Sequence, residues 1–200
     1  MNPISRSTGL ISLTPYFPKF QEIFKRTDRH YLDYPAIVRL DHSKRTRATN
    51  IHDILVRYAR EIFEGVPNVF LRKIRGLFLV EVAGMLVRFQ KVGKSGKLRI
   101  PVTQQGNLFS SQEFEQLHIV GIPPATNVVA AYQEDSFEHS MSACLMVCPI
   151  GNSVSWTIDI HNPFEVQEKL PVISPVKKQK KTGRAKKAPK DIKAEGNGNL

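Results

Sequence analysis

Only two of the 200 residues are cysteine, Cys144 and Cys148. That is too few for a disulfide framework, which excludes the small bridge-stapled secreted scaffolds. No G-x-S-x-G, H-E-x-x-H, Walker A or dinucleotide-binding glycine pattern occurs in the chain. The expectation is therefore a non-enzymatic protein that needs no cofactor and no metal. The longest stretch without a formal charge, Ser140 to Ile158, approaches membrane-spanning length but contains Pro149, Gly151, Asn152 and four serines. A span there would strand backbone and hydroxyl groups in hydrocarbon, so no membrane segment is expected. The opening MNPISRSTGLISLTPYF has one arginine ahead of a broken apolar patch rather than a signal-peptide core. Together with the scarcity of cysteine this points to a cytoplasmic protein.

What is present is a strong segregation of charge. Residues 1 to 99 carry nineteen Lys and Arg against eight acids, residues 100 to 168 carry eight acids and no Lys or Arg, and residues 169 to 200 carry ten basic residues and two acids. The net charge of +11 conceals this basic, acidic, basic order. With 41% hydrophobic residues and eleven phenylalanines, residues 1 to 168 suffice for one domain. The remainder, from 169 to 200, is poor in aliphatics, rich in lysine and broken by Pro171, Pro175 and Pro189. Such a segment buries too little apolar surface to offset the entropy of ordering, so a disordered basic tail is expected. Its Lys177, Lys178, Lys180, Lys181, Arg184, Lys186 and Lys187 suit three roles: a solvated end, contact with nucleic-acid phosphates, or docking on acidic groups of the chain's own middle section such as Glu113, Glu115, Glu134, Asp135 and Glu138.

The clearest helix is NIHDILVRYAREIFEG, capped by Asn50 and ended by Gly65 ahead of Pro67, with Ile51, Ile54, Leu55, Tyr58 and Ile62 at helical spacing. Arg57 and Arg60 lie on its outer faces, and Lys44, Arg45 and Arg47 stand just upstream. Several cations at one helix end form a candidate phosphate-contacting patch. The pairs Asp53–Arg57 and Arg60–Glu64, at i,i+4, would equally satisfy a solvated face. No second helix follows at helix-turn-helix distance, so sequence-specific reading of the major groove is not expected. Upstream, YFPKFQEIFKR places Phe17, Phe20 and Phe24 on one side, as core packing requires.

From Val69 the texture becomes β-branched and aromatic. LFLVEVAGMLVRFQKVG reads as two strands around Ala83 and Gly84, or one bent strand with a bulge there. Arg72, Lys73, Arg75, Arg88, Lys91, Lys94, Lys97 and Arg99 face only Glu81 as an acid and would form a basic rim, either to grip phosphates or to block edge-to-edge aggregation. In the acidic section SSQEFEQLH reads as a short helix capped by Ser110 or Ser111, followed by strands NVVAAYQ, MSACLMVC and SVSWTIDI. With Gly151 and Asn152 as a two-residue loop, Val147 faces Trp156, Leu145 faces Ile158 and Ala143 faces Ile160 on an apolar side. Cys144, Met146 and Cys148 then take the wetter side. Four residues of strand separate the two thiols by about 13 Å, too far to share a zinc ion or a disulfide. His118, His139 and His161 lie near carboxylates. Asp159 and His161 share a strand face, with Ser153 or Ser155 across the hairpin as a conceivable hydroxyl.

The succession LVRFQKVG, VTQQG, SSQEFEQLHIVGIPP, VVAAYQEDSFEHSMSACLMVCP and VSWTIDI carries Arg88-Phe89-x-Lys91, Gln112, Gly121-Ile122-Pro123, Ala131-Tyr132, Cys148-Pro149 and Trp156. In this order, over residues 50 to 160, it resembles small bacterial accessory proteins encoded beside a helix-turn-helix or metallopeptidase gene in mobile or defence-associated loci. The resemblance implies a cytosolic partner of a second gene product, antitoxin-like or regulator-like, and assigns no residue a role. The expected architecture is α+β, an antiparallel sheet with flanking helices and a basic tail. The expected function is an interaction protein whose basic half and tail contact nucleic acid without marked sequence preference while its acidic sheet contacts a protein or a second copy. The alternative is a dedicated protein-binding neutraliser without a nucleic-acid role.

Overall fold

The computed structural model describes residues 3–92, 98, 103–113, 125–135 and 140–164. Residues from 169 onward, Lys94, Lys97, Arg99, Glu115, Glu138, His118, His139 and residues 121–124 lie outside these residues.

The C-terminal half builds around two runs in which almost every residue is apolar or small. TNVVAAYQE forms β4 (Thr126–Glu134) and MSACLMVCPI forms β5 (Met141–Ile150). Continuous rather than alternating apolar character is what a strand covered on both faces requires, and both are central in a six-stranded sheet. The others are β1 (Val69–Ile74), β2 (Leu77–Val82), β3 (Met85–Lys91) and β6 (Ser153–Asp159). The spatial order follows the sequence, β1-β2-β3-β4-β5-β6. Tight turns at Arg75-Gly76 and Ala83-Gly84, all four residues with positive φ, fold β1 on β2 and β2 on β3. Such left-handed pairs match the right-handed twist of the flanking strands.

The sheet is mixed, which corrects the antiparallel expectation. β3 and β4 run parallel, from Met85 opposite Thr126 to Lys91 opposite Tyr132. Parallel neighbours need a crossover of a dozen or more residues, and here it contains α5 (Gln104–Ser110). Thr103 caps α5 through its side chain and Ser110 is its last residue, while residues 114–118 of the expected SSQEFEQLH helix lie outside the described residues. The chain does turn back after β3, with Val92 and Leu98 in an isolated antiparallel bridge.

Four helices precede the sheet: α1 (Arg6–Leu13), α2 (Phe17–Leu32), α3 (Ala36–Asp41) and α4 (Lys44–Phe63). Ser43, not Asn50, caps α4, with its hydroxyl accepting the N–H of Thr46 at 3.1 Å. The helix thus begins before its apolar periodicity does, and its first turn holds the cations thought to lie upstream of it. Helices α2 and α4 cover one sheet face, where Phe20, Phe24, Leu55 and Phe63 meet Val87, Phe89 and Tyr132. Polar ties fix α2 to the strand ends. The Gln21 amide donates to the Ile160 carbonyl at 2.7 Å, and the Asp28 carboxylate accepts the Met141 N–H at 2.8 Å. On the opposite face Leu79, Val129, Ala131, Leu145 and Val147 pack with Phe109 of α5.

The β5–β6 hairpin turns at Gly151-Asn152 as expected, with Ile150 opposite Ser153 and Pro149 opposite Val154. A bulge follows, so Cys148 pairs with Trp156, Val147 with Thr157 and Met146 with Ile158. Ser155 is the extra residue, and it is exposed. One inserted residue in a period-two element exchanges the faces of everything beyond it. Trp156 and Ile158 thereby join the face of Cys144, Met146 and Cys148, which is the helix-covered core rather than a wet side, and Val147 and Leu145 line the other face. The strand assignment behind the thiol separation holds. Both cysteines are free and buried, and burial pushes each thiol up to about 12, so neither offers a thiolate near neutral pH.

Beside the bulge, Pro149 has no N–H to give to a ladder. Opposite it, the side-chain amide of Gln112 takes the place of a strand's peptide group. Its Oε1 accepts the Asn127 N–H at 2.7 Å, and its Nε2 donates to the carbonyls of Asn127 at 3.0 Å and Pro149 at 2.7 Å. Gln112 is 2% exposed and sits at φ 64°. Gln112→Ala should lower unfolding free energy by at least about 2 kcal/mol, since each buried group left without a partner costs about 1–3 kcal/mol. Urea denaturation reads this directly, and a loss under about 0.5 kcal/mol would contradict the clamp.

Candidate nucleic-acid interface

The cations singled out in the sequence do not share one surface. Arg47 turns inward from the first turns of α4, its side chain 12% exposed, and donates to the Glu134 carboxylate at 3.1 Å. Lys91 of β3 donates to the other oxygen of the same carboxylate. Glu134, expected as part of a surface acidic lobe, is instead a buried acid at the end of β4 that holds two cations from different layers. Sequence could not show this, because 87 residues separate Arg47 from Glu134. Arg88 lies on the sheet face away from the helices, its guanidinium 5.2 Å from the centre of the Phe109 ring. Arg72 pairs with Glu81 across β1 and β2. The expected continuous rim is therefore divided among both faces and one edge.

On α4 the outer-face ion pair is Arg57 with Glu61 at 3.2 Å, not Asp53 with Arg57. Arg57 also donates to the Tyr58 hydroxyl and lies 4.8 Å from that ring's centre. Arg60 covers the Phe78 ring at 5.4 Å instead of pairing with Glu64, which has left the helix as its C-cap. Lys44 and Arg45, at the capped end, are exposed, and among the described residues they form no ion pair. Burial holds the neighbouring His52 ring below the ordinary imidazole range, so it adds no charge to this helix near neutral pH.

Sequence reasoning missed α2 as a source of cations. Its outer side presents Lys25, Arg26 and Arg29, all exposed. Arg26 pairs with Glu22 at 2.7 Å, whereas Lys25 and Arg29 have no ion pair among the described residues. The signal was present in FKRTDRHYLDY, where Arg26, Arg29, His30, Asp33 and Tyr34 recur at helical spacing. These five residues and Tyr58 of α4 line a cleft of about 220 Å³. The His30 Nδ1 and Tyr58 hydroxyl share a hydrogen bond of 2.9 Å, and the His30 ring meets Tyr34 and Tyr58 edge-on at 5.8 Å each. Tyr31 and His42 extend the cluster behind Tyr34.

The conceivable Asp159–His161 grouping near the hairpin does not assemble. The Asp159 carboxylate accepts the backbone N–H of His161 at 2.8 Å and of Asn162 at 3.3 Å, and His161 lies past the end of β6. That is a local turn, with the carboxylate engaged by backbone and not by the imidazole. Among the described residues, no group of three or more histidines, cysteines or acids is placed to hold a metal ion, and no helix is long and apolar enough to cross a membrane. No protein-family model, curated protein or solved structure matches the chain.

Proposed function

We propose that this is a non-enzymatic nucleic-acid-binding protein that contacts phosphates through the outer side of its helical layer. The observation that carries this reading is a set of exposed cations, Lys25, Arg29, Lys44 and Arg45, with no acidic partner among the described residues. Cations left free in this way release phosphate counterions on binding, whereas those already paired do not. The tail lysines from Lys177 to Lys187 would add to the same electrostatic term. The test is binding of a short oligonucleotide by the full chain and by a form lacking residues 171–200, each at two salt concentrations. Each phosphate neutralised should add about 0.7 to 0.9 to the log-log salt slope. Truncation should flatten that slope by several units and leave a weaker affinity that falls further in Lys44→Gln/Arg45→Gln. Absence of binding by either form near 50 mM salt, a condition in which such contacts are strong, would end this reading.

One observation favours a protein partner instead. Helix α3 buries no residue, and it exposes Ile37 by 67% and Leu40 by 73%. Recovery of one stoichiometric protein and no nucleic acid from the native host would support the neutraliser of a two-gene system.

A further inference from the structure

We infer that the cleft between α2 and α4 receives an unpaired nucleobase, so that the nucleic acid this protein takes is single-stranded. The inference rests on the nucleic-acid reading and narrows it to a ligand class. Three features of the cleft converge on it.

The walls combine rings with cations. His30, Tyr34 and Tyr58 are part-exposed and line the cleft together with Arg26 and Arg29. Contacts among the rings are steep, 82° between His30 and Tyr34 and 69° between His30 and Tyr58. An edge-to-face contact covers one ring face; Arg57 also lies over Tyr58 and Tyr31 and His42 meet Tyr34, so the stacking surface for a planar guest is the part-exposed Tyr34 where it lines the cleft. The polar tips of His30 and Tyr58 are tied to each other, which holds those two rings in place before any ligand arrives. A duplex hides its base faces inside the stack, and only an unpaired base can offer one to an aromatic side chain.

The cleft is also small. At about 220 Å³ it falls below the range of about 300–1,000 Å³ typical of drug-sized ligands. It suits one ring system and not a folded cofactor. The charges around it are graded as well. Arg29 carries no acidic partner among the described residues, while Arg26 is held by Glu22. Asp33, on the lining, is an acceptor that repels phosphate and attracts an exocyclic amino group. The backbone phosphate would therefore lie toward Arg29 and an amino-bearing base edge toward Asp33.

The experiment measures binding of a labelled twelve-nucleotide single strand and of the corresponding duplex by the full chain. Tyr34→Leu removes the stacking face, Tyr34→Phe keeps it, and Arg29→Gln removes an exposed cation and leaves the core untouched. Thermal midpoints of all three identify any variant that is simply unfolded. Single-strand affinity should fall about 5- to 150-fold in Tyr34→Leu, the range that loss of one stacked base produces. It should hold in Tyr34→Phe and fall in Arg29→Gln, with little change for the duplex in Tyr34→Leu. Binding that is as tight for the duplex, or unaltered by both Tyr34→Leu and Arg29→Gln, overturns the inference and leaves the phosphate-contact reading intact. Failure of the full chain to bind either oligonucleotide near 50 mM salt overturns both.

Discussion

Trp156→Ala should cost about 3–5 kcal/mol of unfolding free energy, the range for truncating a fully packed large aromatic. The indole is 2% exposed on β6, and its N–H donates to the Ile4 carbonyl at 2.8 Å. It also supports α1, because Gly9 lies directly over the ring. A Cβ built at Gly9 would come 2.9 Å from Trp156 Cζ2, closer than real contacts allow. This makes the prediction separable from general core loss. Alanine inside a helix is favoured over glycine by about 1 kcal/mol, so Gly9→Ala should destabilise the wild type yet stabilise the Trp156→Ala background. Urea melts of the four proteins in this double-mutant cycle read the sign change. Equal effects of Gly9→Ala in both backgrounds would show that α1 does not rest on the tryptophan.

Removing the carboxylate at Glu134 should be comparably damaging. Glu134→Ala leaves the Arg47 guanidinium buried without the acid that faces it, a situation that costs about 3–5 kcal/mol when one member of a buried pair is deleted. Exchanging both partners for apolar residues, as in Arg47→Met/Glu134→Leu, should recover most of the loss, since the desolvation penalty of both charges disappears together. The same pair distinguishes structural cations from ligand-contacting ones. Arg47→Met should lower the melting temperature and leave the salt slope of oligonucleotide binding unchanged, while Lys44→Gln/Arg45→Gln should do the reverse. If Arg47→Met flattens the salt slope in a protein that remains folded, Arg47 is a phosphate contact and the ion triad is not its role.

Much of the local structure was legible because it depends on short-range periodicity. Phe17, Phe20 and Phe24 recur at helical spacing and form the inner side of α2, and the runs around VVAAYQ, ACLMVC and SWTID are strands. Ala83-Gly84 and Gly151-Asn152 are turns, as their glycines suggest. The split of charge into basic, acidic and basic sections is likewise a property of the chain itself.

Three outcomes depended on contacts between distant residues. The parallel pairing of β3 with β4 follows from the crossover that carries α5, and no local pattern in either strand encodes its neighbour's direction. The face taken by Trp156 and Ile158 turned on one bulged residue, Ser155, and the carbonyl of nearby Pro149 is met by Gln112 from 37 residues away. The fate of the cations was decided by where acids came to lie. Arg47 and Lys91 met Glu134, Arg57 met Glu61, and Arg29 came to line a cleft of rings without an ion pair among the described residues. A sequence fixes how many charges of each sign there are and how they are spaced along a helix. Which of them remain available to a ligand is set by pairing across layers, because the free energy of a charge depends on its distance from the opposite sign and from water.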